Sequence, residues 1–227
     1  MLVVEIVLKL AWRHLPSHQR ADKRLIMIYL TNHNISFIMV KRRFVRSMIK
    51  LLEPQMEYAD DIWAFRQEIF DFDINNEDRF AGCMSLDSCK SAEEWIKICE
   101  LRKSSATCHQ VGTLVPSNMY LAVRVNDNRI VGIIDLRHHI DHPILGTWGG
   151  HCGYSVRSSE RGRGYAKEML RQNIENARNI GIERLLVTCN DKNTASEKTI
   201  IANGGVYEYS ISIGDCLMKR YWIDTAK

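Results

Sequence analysis

Residues 156–166, Val-Arg-Ser-Ser-Glu-Arg-Gly-Arg-Gly-Tyr-Ala, constrain this chain more than any other segment. A β-rich run ends there, two arginines and two glycines follow, and an amphipathic helix pattern begins at once. Gly162 and Gly164 let the backbone adopt torsions closed to other residues and approach a ligand closely. The free amides at a helix start converge on one spot, at the positive end of the helix dipole. Such a place binds phosphate, and Arg161 and Arg163 offer charge-assisted donors beside it. The bland alternative is a tight strand-to-helix turn whose arginines face solvent. A P-loop would need GxxxxGK[ST], which does not occur. The dinucleotide fingerprint would need a third glycine where Lys167 stands.

The flanking pattern places this turn inside a mixed α/β domain. Tyr58, Ile62, Phe65, Ile69 and Phe70 recur at three and four residues, the stripe of an amphipathic helix. Ser91-Ala92-Glu93-Glu94 is a capping box that opens a second helix. No glycine precedes Gly82, so the first third reads as helical or irregular. Beyond residue 115 strands dominate: 119–125 and 130–136 as a hairpin, 150–156, 184–189, and a terminal hairpin of 206–212 with 217–223. A helix over about 164–179 has one apolar and one charged face. A shorter helix over 194–202 stops at Gly204.

Charge separates a leader from the body. Residues 1–47 hold nine Lys or Arg against Glu5 and Asp22, a balance of +7, whereas the remaining 180 residues carry 22 basic and 25 acidic side chains. A nucleic-acid reader would show its basic footprint on the folded domain, so none is expected as a partner. Met1–Ala11 is apolar but lacks a basic start and a cleavage site, and makes a poor signal peptide. The cluster 41–46 reads as solvated surface. Folding is expected to start near Met48, giving a basic extension over 1–47 and a domain over 48–227. Met27, Met39 and Met48 would each permit a later start. No apolar run reaches the length of a membrane span. The seven cysteines form no CxxC pair and are odd in number, which suits reduced thiols in a cytoplasm.

With those residues in view, the chain resembles the GNAT superfamily of acetyl-CoA-dependent N-acetyltransferases. Arg161-Gly162-Arg163-Gly164-Tyr165-Ala166 fits the family's pyrophosphate motif, [Q/R]-x-x-G-x-[G/A], at every fixed position. Gly153-Tyr154-Ser155-Val156 looks like the family's fourth strand. Leu186–Cys189 and then Asn193–Ser196 look like its fifth strand and the next helix start, and 204–207 falls where the family has a Gly-Phe pair. The resemblance is best over 118–223. It implies a mostly antiparallel, twisted mixed sheet with a splayed parallel strand pair, flanked by helices. It implies acetyl-CoA as cosubstrate, no metal, and direct attack by an amine of a small molecule, peptide or protein. Ser155, Val156, Arg161–Ala166, Asn193 and Ser196 would hold the donor, with a backbone amide near Ser155 or Val156 facing the developing oxyanion. A homodimer is compatible with it.

Two positions depart from the family. His151 stands where many members have a glutamate, and would serve as general base. Ile200 stands where many have a proton-donating tyrosine, which leaves Tyr154, Tyr165 or Tyr207 for that role. The same gap favours one alternative, a coenzyme A-binding regulator without chemistry; a second, transfer of a longer acyl group, would be set by the pocket around Tyr154 and the following helix. Cys152 and Cys189 read as packing residues. Asp135-Leu136-Arg137-His138-His139-Ile140-Asp141-His142 invites a metal, but neighbouring histidines on a strand point to opposite faces. Lining for the acceptor or surface roles suit it better, with the mobile-looking glycine-rich loop around Trp148 as either a gate or a simple connection.

Overall fold

A computed structural model describes the backbone of residues 26–31 and 34–39, and residues 47–74, 76 and 78–226 in full. The chain divides into two compact units, Met1–Arg46 and Ser47–Lys227. In the first, β1 (Ile26–Thr31) and β2 (Asn34–Met39) form an antiparallel ladder from Ile26 opposite Met39 to Thr31 opposite Asn34. This corrects the expectation of a loose or helical leader: Ile-Met-Ile-Tyr-Leu-Thr and Asn-Ile-Ser-Phe-Ile-Met are two β-rich runs, and a hairpin needs no glycine between them. The apolar stretch 1–11 and the basic cluster 41–46 lie outside the described residues.

The second unit starts with β3 (Ile49–Leu52), a strand that the sequence pattern does not reveal. Its four residues are too few to show a period, yet they pair antiparallel with β4 (Ser117–Arg124) from Ile49 opposite Arg124 to Leu52 opposite Leu121. Between them come α1 (Ala59–Phe72) and α2 (Ala92–Arg102). The capping box over Ser91 forms, with Glu94 N donating to Ser91 Oγ at 3.3 Å. Glu94 Oε2 reaches back to Lys90 N at 2.6 Å.

β5 (Ile130–Arg137) pairs with β4, and β6 (Tyr154–Val156) with β5, giving a sheet of order β3-β4-β5-β6. After α3 (Tyr165–Asn179), β7 (Arg184–Asn190) begins a second sheet. α4 (Thr194–Ala202), β8 (Val206–Ile213) and β9 (Cys216–Asp224) follow, and the strand order is β7-β9-β8. Every ladder is antiparallel. The fold is thus mixed α/β with antiparallel sheets flanked by helices. No helix among the described residues is long and apolar enough to cross a membrane.

Alternation along β4 explains the layers. Met119, Leu121 and Val123 meet Ile62, Phe65, Ile69 and Trp95 of α1 and α2, while Ala122 faces the side of α3 with Tyr165 and Met169. β5 keeps the same division only because a bulge near Val131 resets its parity. Ile130 and Ile133 then share one core and Val131 and Ile134 the other. Gly132 lets α3 sit close, since a Cβ there would lie 2.6 Å from Met169 Sδ.

β6 is shorter than the run 150–156 suggested. Gly153 N turns to Asp135 Oδ1 at 2.5 Å instead of continuing the ladder. His151 N crosses to Leu186 O of β7 at 2.8 Å. β6 and β7 occupy the place of the expected splayed pair. No ladder joins them among the described residues, and the gap between them opens into the cavity described below.

Candidate functional site

The cavity measures about 570 Å³. Its walls are the turn 160–167, the strand end 152–156, the segment 76–82, the C-terminal half of β7 and the first turn of α4. Ligand sites are commonly clefts of this size between elements.

The turn comes first because it determines what can enter. Gly162 and Gly164 have φ of +75° and +84°, left-handed values that disfavour any residue with a side chain. A Cβ on either would meet nothing within 4 Å, so open space lies beside both. Gly164 is the N-cap of α3 and supplies no side chain to cap it. The first amides of the helix are therefore available to an anion.

Both arginines of the turn are paired with carboxylates. Arg161 binds both carboxylate oxygens of Asp73, Nη1 to Oδ1 at 2.7 Å and Nη2 to Oδ2. Its Nε donates to Val156 O at 3.2 Å. Arg163 is largely exposed, pairs with Glu160 at 3.4 Å, and is not part of the cavity wall. Glu160 is buried and also receives Arg124 at 2.8 Å and Arg129 at 3.3 Å. Tyr165 buries its ring in the core, and its hydroxyl accepts from Arg124 Nη1 at 3.3 Å. Ala166 lines the cavity.

On β6 the ladder bonds fall on odd-numbered residues: Arg157 N to Val131 O, Asp135 N to Gly153 O and Arg137 N to His151 O. By antiparallel alternation the amides of Tyr154 and Val156 face away from β5, toward the gap. Of the two residues expected to offer an oxyanion donor, Val156 has the suitable amide. Ser155 instead spends its hydroxyl on Ala81 O at 2.8 Å and Arg79 O at 3.1 Å. Gly82 approaches so closely that a Cβ there would lie 2.1 Å from Gly153 O. Trp95 anchors the neighbouring turn by donating from Nε1 to Cys83 O at 2.8 Å and Met84 O at 2.9 Å.

Tyr154 points across the cavity, with its hydroxyl 2.8 Å from Ser196 Oγ. Burial pushes its phenol well above the usual range despite the bond from Ser196. A protonated donor is therefore its resting form. Asn193 caps α4, accepting Ser196 N at Oδ1 over 3.0 Å. Ile200 is buried in the core and offers no polar group.

His151 lies off the cavity wall. It is 5% exposed and accepts Leu186 N at Nδ1 over 2.9 Å. Burial pushes its imidazole down to about 4. The strand twists it toward Trp222, whose ring lies 6.4 Å away. Cys152 and Cys189 line the cavity, but burial pushes their thiols up to about 12 and about 11, which removes them as nucleophiles.

The loop around Trp148 lines the cavity, and several side chains bind its carbonyls. Arg137 Nη1 donates to Gly149 O at 2.8 Å and Gly150 O at 3.0 Å. Arg220 Nη1 donates to Gly146 O at 2.8 Å and also to Thr147 O, and Thr188 Oγ1 donates to Trp148 O at 2.5 Å. Among the neighbouring histidines, His138 bonds Asn118 Oδ1 at 2.6 Å, His139 lies 3.7 Å from Asp141, and His142 Nδ1 accepts Ile144 N at 3.2 Å. None lines the cavity, and among the described residues no three His, Cys, Asp or Glu stand together as metal ligands.

Several residues of the site carry no signal in the sequence. Asp61, Glu68 and Asp73 have the pattern of a wet face of α1, but all three reach the donor turn. Arg137 and Arg220 show no visible role there, because their carbonyl partners are remote or irregular. Gly82 does carry a signal, as the first glycine in the chain.

The family described as an acetyltransferase (GNAT) domain matches residues 88–206. No curated protein matches the sequence. Among solved structures, RimL, a ribosomal-protein α-N-acetyltransferase bound to coenzyme A, is similar at a TM-score of 0.56 and 19% identity, over 81% of this chain and 98% of that one. The microcin self-immunity acetyltransferase MccE, bound to acetyl-CoA and AMP, gives 0.55 at 16% identity, over 79% and 94%. RimJ of Mycobacterium smegmatis gives 0.55 at 19%, over 78% and 81%. At these identities the structures speak for the fold.

Proposed function

Because the chain belongs to the GNAT acetyltransferase family, we propose that its cavity takes acetyl-CoA and passes the acetyl group to an amine of a small molecule, peptide or protein. The carrying observation is the pair of left-handed glycines that opens the start of α3 beside the free edge of β6. Bound there, acetyl-CoA supplies an activated thioester. The amides of 162–166 hold the diphosphate, and the edge of β6 holds the extended arm through backbone hydrogen bonds.

The chain's own groups then divide the work. The Val156 amide faces the gap and favours negative charge developing on the acetyl oxygen. Tyr154 stays protonated and donates toward the departing sulfur, with Ser196 setting its direction. To Asp78, an exposed carboxylate of the cavity wall, we assign the passage of the amine proton to solvent. Attack is direct, since both wall cysteines are held as thiols. The Tyr154–Ser196 pair supplies the hydroxyl that Ile200 lacks, and this favours an enzyme over a coenzyme A-binding regulator. Cys83, Cys89, Cys99, Cys108, Cys152 and Cys189 are buried thiols, in keeping with a cytoplasmic setting.

A panel of amines tests the reading: N-terminal peptides, polyamines and amino-nucleotides, each incubated with acetyl-CoA and scored by coenzyme A release. At least one is expected to give multiple turnovers. Binding of acetyl-CoA without release for any amine would support the regulator instead.

A further inference from the structure

Three carboxylates of α1 and its C-cap meet successive residues of the turn before α3. Asp61 takes Arg157 at 2.6 Å, and Glu68 takes Arg157 at 3.3 Å and the Ser159 amide at 2.7 Å. Asp73 takes Ser158 Oγ at 3.0 Å and both ends of the Arg161 guanidinium. The Arg161 pair bears most directly on a ligand, because Arg161 opens the backbone that forms the cradle. Its guanidinium joins the end of β6, through Val156 O, to α1.

Two forces keep it there. Asp73 is 7% exposed, so drawing the guanidinium onto a phosphate would leave a buried carboxylate with the Ser158 hydroxyl in place of a cation. Asp73 also stands at the C-terminal end of α1, where the helix dipole favours positive charge. A bidentate fork adds fixed geometry that a flexible contact would lack.

We propose that Asp73 is a positioning residue of the donor site, using Arg161 as a tether that orients the backbone of Arg161–Gly164. Arg161 is then no phosphate ligand, and the diphosphate is held by backbone amides. This rests on the coenzyme A reading above.

Coenzyme A is titrated calorimetrically into the full chain and into Asp73→Asn, Arg161→Gln and the double variant. Each single variant is expected to lose about tenfold in affinity or more. The double should be no weaker than the weaker single, because both changes cut one tether. Raising ionic strength should weaken wild type and Arg161→Gln in parallel, since no direct phosphate contact has been removed. Tighter binding by Asp73→Asn, unchanged affinity in both singles, additive losses, or a shallower salt dependence in Arg161→Gln would overturn the tether. If Asp73→Asn does not fold, the salt series on Arg161→Gln decides. Failure of the wild-type chain to bind coenzyme A would overturn the donor-site reading, and the tether with it.

Discussion

An imidazole near the reacting centre in sequence need not be near it in space, and His151 shows why. Its backbone N–H crosses to Leu186 O while its Nδ1 accepts Leu186 N, so both groups are committed to joining β6 to β7. The folded pKa of about 4 lies below the ordinary 6.5, chiefly through burial. Between those values the unfolded chain holds a proton that the native chain lacks. Stability from this group is therefore complete above about pH 6.5 and falls as pH drops toward 4, by on the order of a few kcal/mol. His151→Gln keeps an acceptor for Leu186 N but does not titrate. Denaturant unfolding between pH 4 and 7 should show a steeper loss for wild type than for the variant. Parallel curves would contradict the buried neutral imidazole. Turnover with a proven amine should keep its pH profile, whereas a loss near a hundredfold would return His151 to the chemistry.

At the scale of elements, the donor site depends on a close approach between chain segments far apart in sequence. Gly82 has φ of +73°, and its missing Cβ is what lets segment 79–82 lie against β6. Gly82→Ala would meet backbone, which cannot swing aside as a side chain would. It should cost about 2–4 kcal/mol from strain and overpacking, and coenzyme A affinity should fall as β6 shifts. A melting temperature within a degree of wild type would show that the contact is dispensable. The turn at 156–166 was legible because glycine torsion, helix start and amphipathic period all act within eleven residues. α2 was legible through its cap and α3 through its two faces. β3 was not, because four residues carry no period and its partner lies some seventy positions away. The roles of Asp61, Glu68 and Asp73 were hidden for a related reason: a carboxylate on a helix surface looks alike whether it meets water or an arginine brought by the fold. The ties of the Trp148 loop were hidden too, because its glycines are visible in sequence whereas the arginines that bind its carbonyls come from distant strands.

For the whole molecule, the two units pose a question that charge makes sharper, since residues 1–47 hold the positive excess. Among the described residues, the buried apolar side chains of the three core clusters fall between Ile49 and Ile223, so the second unit holds a core of its own. Its first residue ties the strand entry to α3, because Ser47 Oγ donates to Glu168 Oε1 at 2.6 Å and accepts Gln172 Nε2 at 2.9 Å. The Glu168 carboxyl is lowered to about 2, first by Arg171 and, against burial, by Ser47 and Gln172. We propose that the boundary belongs before Ser47, one residue earlier than the periodic pattern suggested. A chain of residues 47–227 should unfold in one cooperative step and bind coenzyme A within about twofold of the full chain. Starting at Met48 should cost a further ~0.5–1.5 kcal/mol, the usual scale for lost hydrogen bonds. If the 47–227 chain is insoluble, or binds coenzyme A more than tenfold weaker, then residues 1–46 support the core or the donor site.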